Sequence, residues 1–160
     1  MKLSTRARYG LRALIDLGSY SENESVSLQS IAARQEISMG YLEQLMALLK
    51  KAGFVQSSRG ACGGYRLGKP AEEISVGDIL RVLEGSLEAV ECPGNGAGGK
   101  CQGEDICVAK YVWKRINDSI KKAVDSMMLS ELIEESRRVK KENKNCSEAG
   151  CPSVRQQPQS

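Results

Sequence analysis

Between Ser27 and Leu67 the chain carries a pattern that few folds accommodate. Two short helical stretches are joined by a tight connection, and a glycine-rich hairpin follows at once. Ser27 is placed to cap a helix over Leu28–Gln35, Glu36-Ile37 makes the connection, and Ser38 opens a third helix that runs to about Ala52, with Gly53 as its stop. On that third helix Leu42, Leu45, Met46 and Leu49 fall on one apolar face. Gly40, Glu43, Gln44 and Ala47 repeat the same spacing on the opposite face. Phe54–Ser58 then alternates like a strand, Arg59–Gly64 forms a turn, and Tyr65–Leu67 returns. The order is that of a helix-turn-helix followed by a wing.

The flanking segments extend this unit. A helix is expected over Thr5–Tyr20, capped by Ser4, with Ala7, Leu11, Leu14, Ile15 and Gly18 on its buried side. After Pro70, Ser75 caps a helix from Val76 to about Leu83. A glycine-dense loop separates it from a long helix, Ala109 to about Met127, whose Val112, Ile116, Ile120, Ala123, Val124 and Met127 form one stripe beside Tyr111 and Trp113. A small core cannot absorb that stripe easily. Packing against a second copy is the expectation, and folding back onto the same domain is the alternative. Ser130 is read as the cap of a last helix, Glu131 to about Lys141, and the remainder as a disordered tail.

Composition narrows the chemistry. The 160 residues include 23 Lys+Arg, 20 Asp+Glu and no histidine. Triads and cysteine–histidine pairs within the chain are therefore excluded, as is any imidazole ligand. No Walker-type or dinucleotide-binding glycine spacing occurs, so an enzyme is not expected. Residues 1–70 hold ten basic and five acidic side chains, a surplus of five, whereas the rest is slightly acidic. A basic N-terminal half suits a polyanion. Glu43 and Gln44 can hydrogen-bond to base edges from a helix face without bulk, and Arg59 at the wing tip suits a minor groove. A solvated helix face is the plainer meaning of the same residues. No stretch reaches the roughly 18 apolar residues of a membrane span, and a cytoplasmic protein without membrane contact is expected.

Six cysteines are too few for a disulfide scaffold. Cys92, Cys101 and Cys107 are spaced C-x8-C-x5-C in or beside the glycine-dense loop. Thiolates in a glycine loop suit an iron–sulfur cluster, either [2Fe-2S] or [4Fe-4S]. Zinc is the competitor, although the close C-x2-C knuckle of structural zinc is missing. Three free thiols are the third possibility. Cys62 reads as a turn residue, and Cys146 and Cys151 as tail thiols, either of which can supply a further ligand.

The segments LSTRARYGLRALIDL, SLQSIA, ISMGYLEQLMALLKKAGFVQSSRGACGGYRLGKP and SVGDILRVLEG resemble the Rrf superfamily of bacterial winged-helix regulators. Within it the chain is similar to the iron–sulfur cluster regulators and to the cysteine-metabolism repressors. The resemblance implies a homodimer on a palindromic double-stranded DNA operator. Ser38, Tyr41, Glu43 and Gln44 would contact the major groove and its phosphates, and Arg59 the minor groove. Cys92, Cys101 and Cys107 would hold the cluster. The cluster regulators carry C-x5-C-x5-C and a histidine three residues beyond; here the first gap is longer and Lys110 stands at that place. The fourth ligand is unassigned, with Glu104, Asp105, Cys146, Cys151 or an exogenous group as candidates.

The expected architecture is mainly α, a winged helix-turn-helix domain with a two-stranded β wing plus a long dimerisation helix. Its parts are a DNA-binding domain over 1–84, a Gly/Cys-rich cluster loop over 85–108, dimerisation helices over 109–142 and a tail over 143–160. The expected function is a dimeric repressor governed by the cluster and controlling iron–sulfur or cysteine and sulfur metabolism genes. The rivals are a regulator using zinc, a thiol switch or a partner enzyme of cysteine biosynthesis, and an iron–sulfur carrier that does not bind DNA.

Overall fold

The computed structural model describes residues 3–21, 24–60, 63–90, 92, 101, 103 and 106–148, with side chains in the last helix described to 143. Cys62, Glu104, Asp105 and Cys151, and the side chain of Cys146, lie outside the described residues. The elements are α1 (Thr5–Tyr20), α2 (Leu28–Gln35), α3 (Met39–Lys51), β1 (Val55–Ser58), β2 (Gly64–Leu67), a 3-10 turn (Ala71–Glu73), α4 (Val76–Glu84), α5 (Ala109–Asp125) and α6 (Leu129–Glu148). The winged helix-turn-helix is therefore present as read.

Local chemistry accounts for most of the boundaries. The Ser4, Ser27 and Ser75 side chains accept from the N–H groups of Ala7, Ser30 and Asp78, each capping a helix that otherwise begins with orphan donors. The helix-turn-helix corner is made by Glu36, whose φ of 54° lies in the left-handed region, and by Ile37, which is buried beside it. At the end of α3, Gly53 adopts φ +80° while its N–H donates to Lys50 O and the Phe54 N–H donates to Leu49 O. This pairing satisfies the last carbonyls of the helix and brings Phe54 into the core with Leu49.

The wing is an antiparallel pair in the register Val55↔Leu67, Gln56↔Arg66, Ser57↔Tyr65 and Ser58↔Gly64. Its second strand is also bridged on the far side: Val26 and Tyr65 exchange two backbone hydrogen bonds of 2.8 Å. The hairpin is thereby tied to the loop that precedes α2 instead of standing alone.

The main core joins Leu14 and Leu17 of α1, Ile31 of α2, the apolar face of α3 (Leu42, Leu45, Met46, Leu49), Val55, Ile79 and Leu83 of α4, and Leu129 and Ile133 of α6. The share taken by α6 was not legible in the sequence. Gly18 eases it: a Cβ there would come within 2.3 Å of the end of the Ile133 side chain, which would have to shift to admit a larger residue. The last helix also differs in its limits. It starts at Leu129, whose N–H donates to Ile74 O, so Ser130 lies inside the helix and is not its cap. It continues to Glu148, past the expected end near Lys141, while α5 stops at Asp125, short of Met127.

A polar lock holds α2 against α1. The Asp16 carboxylate is almost fully buried and accepts from Arg34 Nη2 at 2.7 Å, from Arg34 Nε at 3.0 Å and from Gln35 Nε2 at 3.0 Å. Arg12 donates to Gln35 Oε1 at 3.1 Å. The hydrogen bond to Asp16 raises the Arg34 guanidinium further above its ordinary value, so the cation persists through the neutral range. Arg34 and Lys140 of α6 both lie over the Tyr20 ring, at 4.1 and 4.5 Å from its centre. Replacing Asp16 by Ala strands these donors. Asp16→Ala is expected to lower stability by about 2–3 kcal/mol, less than for a wholly buried pair because Arg34 retains access to water. Urea unfolding measures this, and a loss within 0.5 kcal/mol, the scale of an ordinary surface substitution, would contradict the role assigned to the lock.

Candidate nucleic-acid interface and thiol segment

The outer face of α3 is exposed. Met39, Gly40, Glu43, Gln44 and Ala47 are exposed, and Lys50 and Lys51 continue the face at the C-terminal end. Ser38 occupies the N-cap position with extended backbone, but its side chain makes no cap hydrogen bond. The sequence reading of Ser38 as a cap therefore holds for its position and not for its hydroxyl. Tyr41 is half-buried, its ring set edge-on to Tyr9 of α1 at 6.2 Å. Along the α1 side of this face runs a groove of about 670 Å³ lined by Ser4, Thr5, Arg6, Tyr41, Gln44 and Leu48. The sequence reading missed the contribution of Thr5 and Arg6. Their signal was a polar and basic first turn on a helix whose other face is apolar.

The wing stands beside α3. Lys50 Nζ donates to Ser57 Oγ and so fixes the C-terminal end of α3 to β1, while the Ser25 and Ser58 hydroxyls meet at 2.6 Å. Arg59 follows directly and is exposed, as is Arg66 on the returning strand. The site residues expected from the sequence thus fall into two groups. Ser38, Tyr41, Glu43 and Gln44 share α3 and its N-cap, and Arg59 lies on the neighbouring hairpin. The combination offers hydrogen-bonding groups on a narrow helix flanked by a cation, which is what reading a duplex groove requires.

The thiols lie on the connection between α4 and α5. Cys92 and Cys107 are half-buried, Cys101 is exposed, and none is paired in a disulfide. Their donor chemistry, soft sulfur without imidazole, fits an iron–sulfur centre or zinc. Their placement does not present a finished site: among the described residues no group of three or more Cys, Asp or Glu side chains is gathered so as to hold a metal ion. Lys110 lies in the first turn of α5 with its Nζ 5.6 Å from the centre of the Tyr111 ring.

Beyond this connection the apolar stripe expected along α5 divides: Ile120 and Val124 are half-buried, Val124 against the Val76–Leu80–Leu87 cluster, while its N-terminal part faces outward. Val108, Tyr111, Val112 and Ile116 are exposed, Tyr111 by 66% and Val112 by 52%, and Asn117 is the one residue of the helix that is buried. Arg81 of α4 joins the two helices by donating to Asp78 at 2.9 Å and to Asp125 Oδ2 at 2.7 Å, and the Asp125 hydrogen bond raises its guanidinium above the ordinary value. Among the described residues no helix is long and apolar enough to cross a membrane.

Comparison with known proteins gives this geometry a context. A family model, Rrf2, described as an iron-dependent transcriptional regulator, matches residues 3–135. The HTH-type transcriptional regulator IscR of Cronobacter sakazakii is 39% identical over 133 residues, covering 83% of this chain and 80% of its own. The IscR of Vibrio campbellii is 38% identical over 136 residues, covering 85% and 79%. Among solved structures, CymR (YrzC), the global cysteine regulator of B. subtilis, has a TM-score of 0.71 at 39% identity, covering 84% of this chain and 98% of that one. T. potens IscR has a TM-score of 0.69 at 43% identity, covering 85% and 88%.

Gly40 shows how the open face differs from an ordinary surface. A Cβ at this position meets nothing within 4 Å, although glycine lowers helix stability. Gly40→Ala is therefore expected to raise stability by roughly 0.5 kcal/mol. Thermal melting checks this, and a destabilised variant would show that α3 is not free on this side.

Proposed function

Since the chain belongs to the Rrf2 family of iron-dependent transcriptional regulators, we propose that it binds a palindromic DNA operator as a homodimer and that Cys92, Cys101 and Cys107 make this binding responsive to an iron–sulfur cluster. The observation that carries the DNA half is the uncovered face of α3 beside the wing arginine. In this reading Gln44 and Glu43 face base edges, Ser38 and Tyr41 reach the flanking phosphates, and Arg59 enters the adjacent minor groove. Glu43 repels phosphates and acts by excluding sequences that offer it no donor. The exposed apolar side of α5 supports a second copy as its cover, which sets two recognition helices at a fixed spacing. A repressor follows if the operator overlaps a promoter, with genes of iron–sulfur or cysteine and sulfur metabolism as the regulated class.

The cluster half rests on donor chemistry and on the iron dependence attached to the family. Cys92, Cys101 and Cys107 would be its protein ligands, and a bound cluster would supply a centre sensitive to iron supply and oxidants. Because those thiols are not gathered in the described chain, ligation would have to be coupled to a local rearrangement. The same observation favours a second reading, in which the exposed Cys101 serves a thiol switch or zinc site, as suits the likeness to a cysteine regulator. A partner enzyme of cysteine biosynthesis belongs to this second reading.

A duplex selected in vitro from a random library tests the DNA half. A two-fold symmetric site is expected, and recovery of no preferred sequence would overturn it. On that duplex Gln44→Ala is expected to lose about 1–3 kcal/mol of discrimination at one base pair per half-site. Arg59→Ala is expected to weaken binding to all sequences and to flatten the salt dependence by about one unit of slope per subunit. Gly40→Ala is expected to bind more weakly despite its greater stability. For the cluster half, anaerobic reconstitution is expected to give a coloured protein with iron and sulfide, lost in Cys101→Ala. A colourless protein without iron would rule the cluster out and leave zinc content and peroxide response to test the second reading.

A further inference from the structure

The inward side of α5 contradicts the usual order of burial. Its apolar residues Val112 and Ile116 are exposed, yet Asn117 is only 4% exposed. The cause is a two-point clamp. Asn117 Oδ1 accepts from the Ala89 N–H at 2.9 Å, and its Nδ2 donates to Val90 O at 3.1 Å. One turn further along α5, Lys121 Nζ lies 3.7 Å from Glu88 Oε1. Leu87, just before, is buried with Ala7, Val76 and Leu80. The backbone over 87–90 is therefore fixed on one side to the DNA-binding core and on the other to α5.

This fixed stretch ends two residues before Cys92. At most about 7 Å of extended chain separates the clamp from the first thiol. The other end of the cysteine segment is covalently attached to the same helix, since Cys107 stands two residues before Ala109. Eight residues of helix, about 12 Å, separate Ala109 from Asn117. Both ends of the stretch from Cys92 to Cys107 are thus mounted on α5, one by the chain and one chiefly by the two hydrogen bonds of Asn117. Mounting both ends of a loop on one helix limits how far they can separate and so lowers the entropic cost of bringing its groups together.

We propose that Asn117 is a positioning residue: by clamping Ala89 and Val90 it sets Cys92 in place relative to Cys107 and makes the α5 helix respond to what the thiols bind. The thiol-ligand part of this rests on the proposed function; the clamp itself does not. Only a side chain with an acceptor and a donor on one planar group satisfies an adjacent N–H and C=O in this way, which explains a polar residue at the one buried position of α5.

The test uses the full reduced chain under anaerobic conditions, with iodoacetamide alkylation of each cysteine followed by mass spectrometry. In Asn117→Ala, Cys92 is expected to react roughly tenfold faster than in the wild type, with the exposed Cys101 unchanged, because two hydrogen bonds no longer oppose local opening. Lys121→Ala, which removes only the longer ion pair, is expected to leave the Cys92 rate within about twofold of the wild type. If Asn117→Ala does not fold, Asn117→Asp, of the same shape but lacking the donor to Val90, carries the same comparison. Equal acceleration of Cys92 and Cys101, or no change at Cys92, would overturn the proposal. Iron uptake is read separately on the same proteins. Reduced uptake in Asn117→Ala beside an iron-binding wild type supports the full inference, and undiminished uptake overturns its ligand part. A wild type that takes up no iron, with Cys92 still selectively accelerated, would uphold the clamp and overturn the cluster reading instead.

Discussion

The fold hangs on α1 and on how closely its neighbours can approach it. Two positions without side chains ease that approach. A Cβ at Gly10 would come within 2.5 Å of Leu83 in α4, and one at Gly18 within 2.3 Å of Ile133 in α6. On a third side, Asp16 accepts from Arg34 and Gln35 and holds the first helix of the helix-turn-helix in place. The first helix of the helix-turn-helix, the helix after the wing and the terminal helix are thereby registered on one rod. α6 and α2 also meet at the Tyr20 ring, over which both Lys140 and Arg34 lie, and Arg34 in turn binds Asp16.

Against this packed body, two surfaces are left open, and they have different chemistry. The α3 face offers amide, carboxylate and cation beside a groove that reaches the first turn of α1. The α5 face is apolar and long. A polar, narrow, cation-flanked face suits a duplex, whereas an apolar helical ridge suits another helix. The cysteine segment joins α4, which belongs to the body, to α5, which carries the ridge. In the proposed dimer this position would give the thiols a mechanical route to the pose of two reading heads without direct contact with DNA, provided a ligand changes the segment between Cys92 and Cys107.

The sequence made the DNA-reading unit legible because its signals are local. Ser27, Glu36-Ile37, Gly53 and the hairpin each act through their own few residues, and the structure places α2, α3 and the wing as their spacing implies. The face of α3 was equally legible, since a helix repeats its environment every three or four residues. What stayed hidden depends on partners distant in the chain. Gly18 reads as a small residue on a buried face, and only the arrival of Ile133, 115 positions later, gives it a reason. Ser130 looked like a cap because serine often is one, but the Leu129 N–H had found Ile74 O, which no local pattern announces. Asn117 carried a faint signal, a lone amide at helical spacing between Trp113 and Ile120, but its backbone partners lie in a loop without periodicity.

The central claim is that the exposed ridge of α5, from Val108 through Ile116, is covered by a second copy of the chain, so that the two recognition helices act as one reader. Sedimentation equilibrium of the full-length protein at micromolar concentration tests this without reference to operator, cluster or gene. The account predicts a particle of twice the 17.4 kDa chain mass. A species sedimenting at the mass of one chain across that concentration range would contradict it.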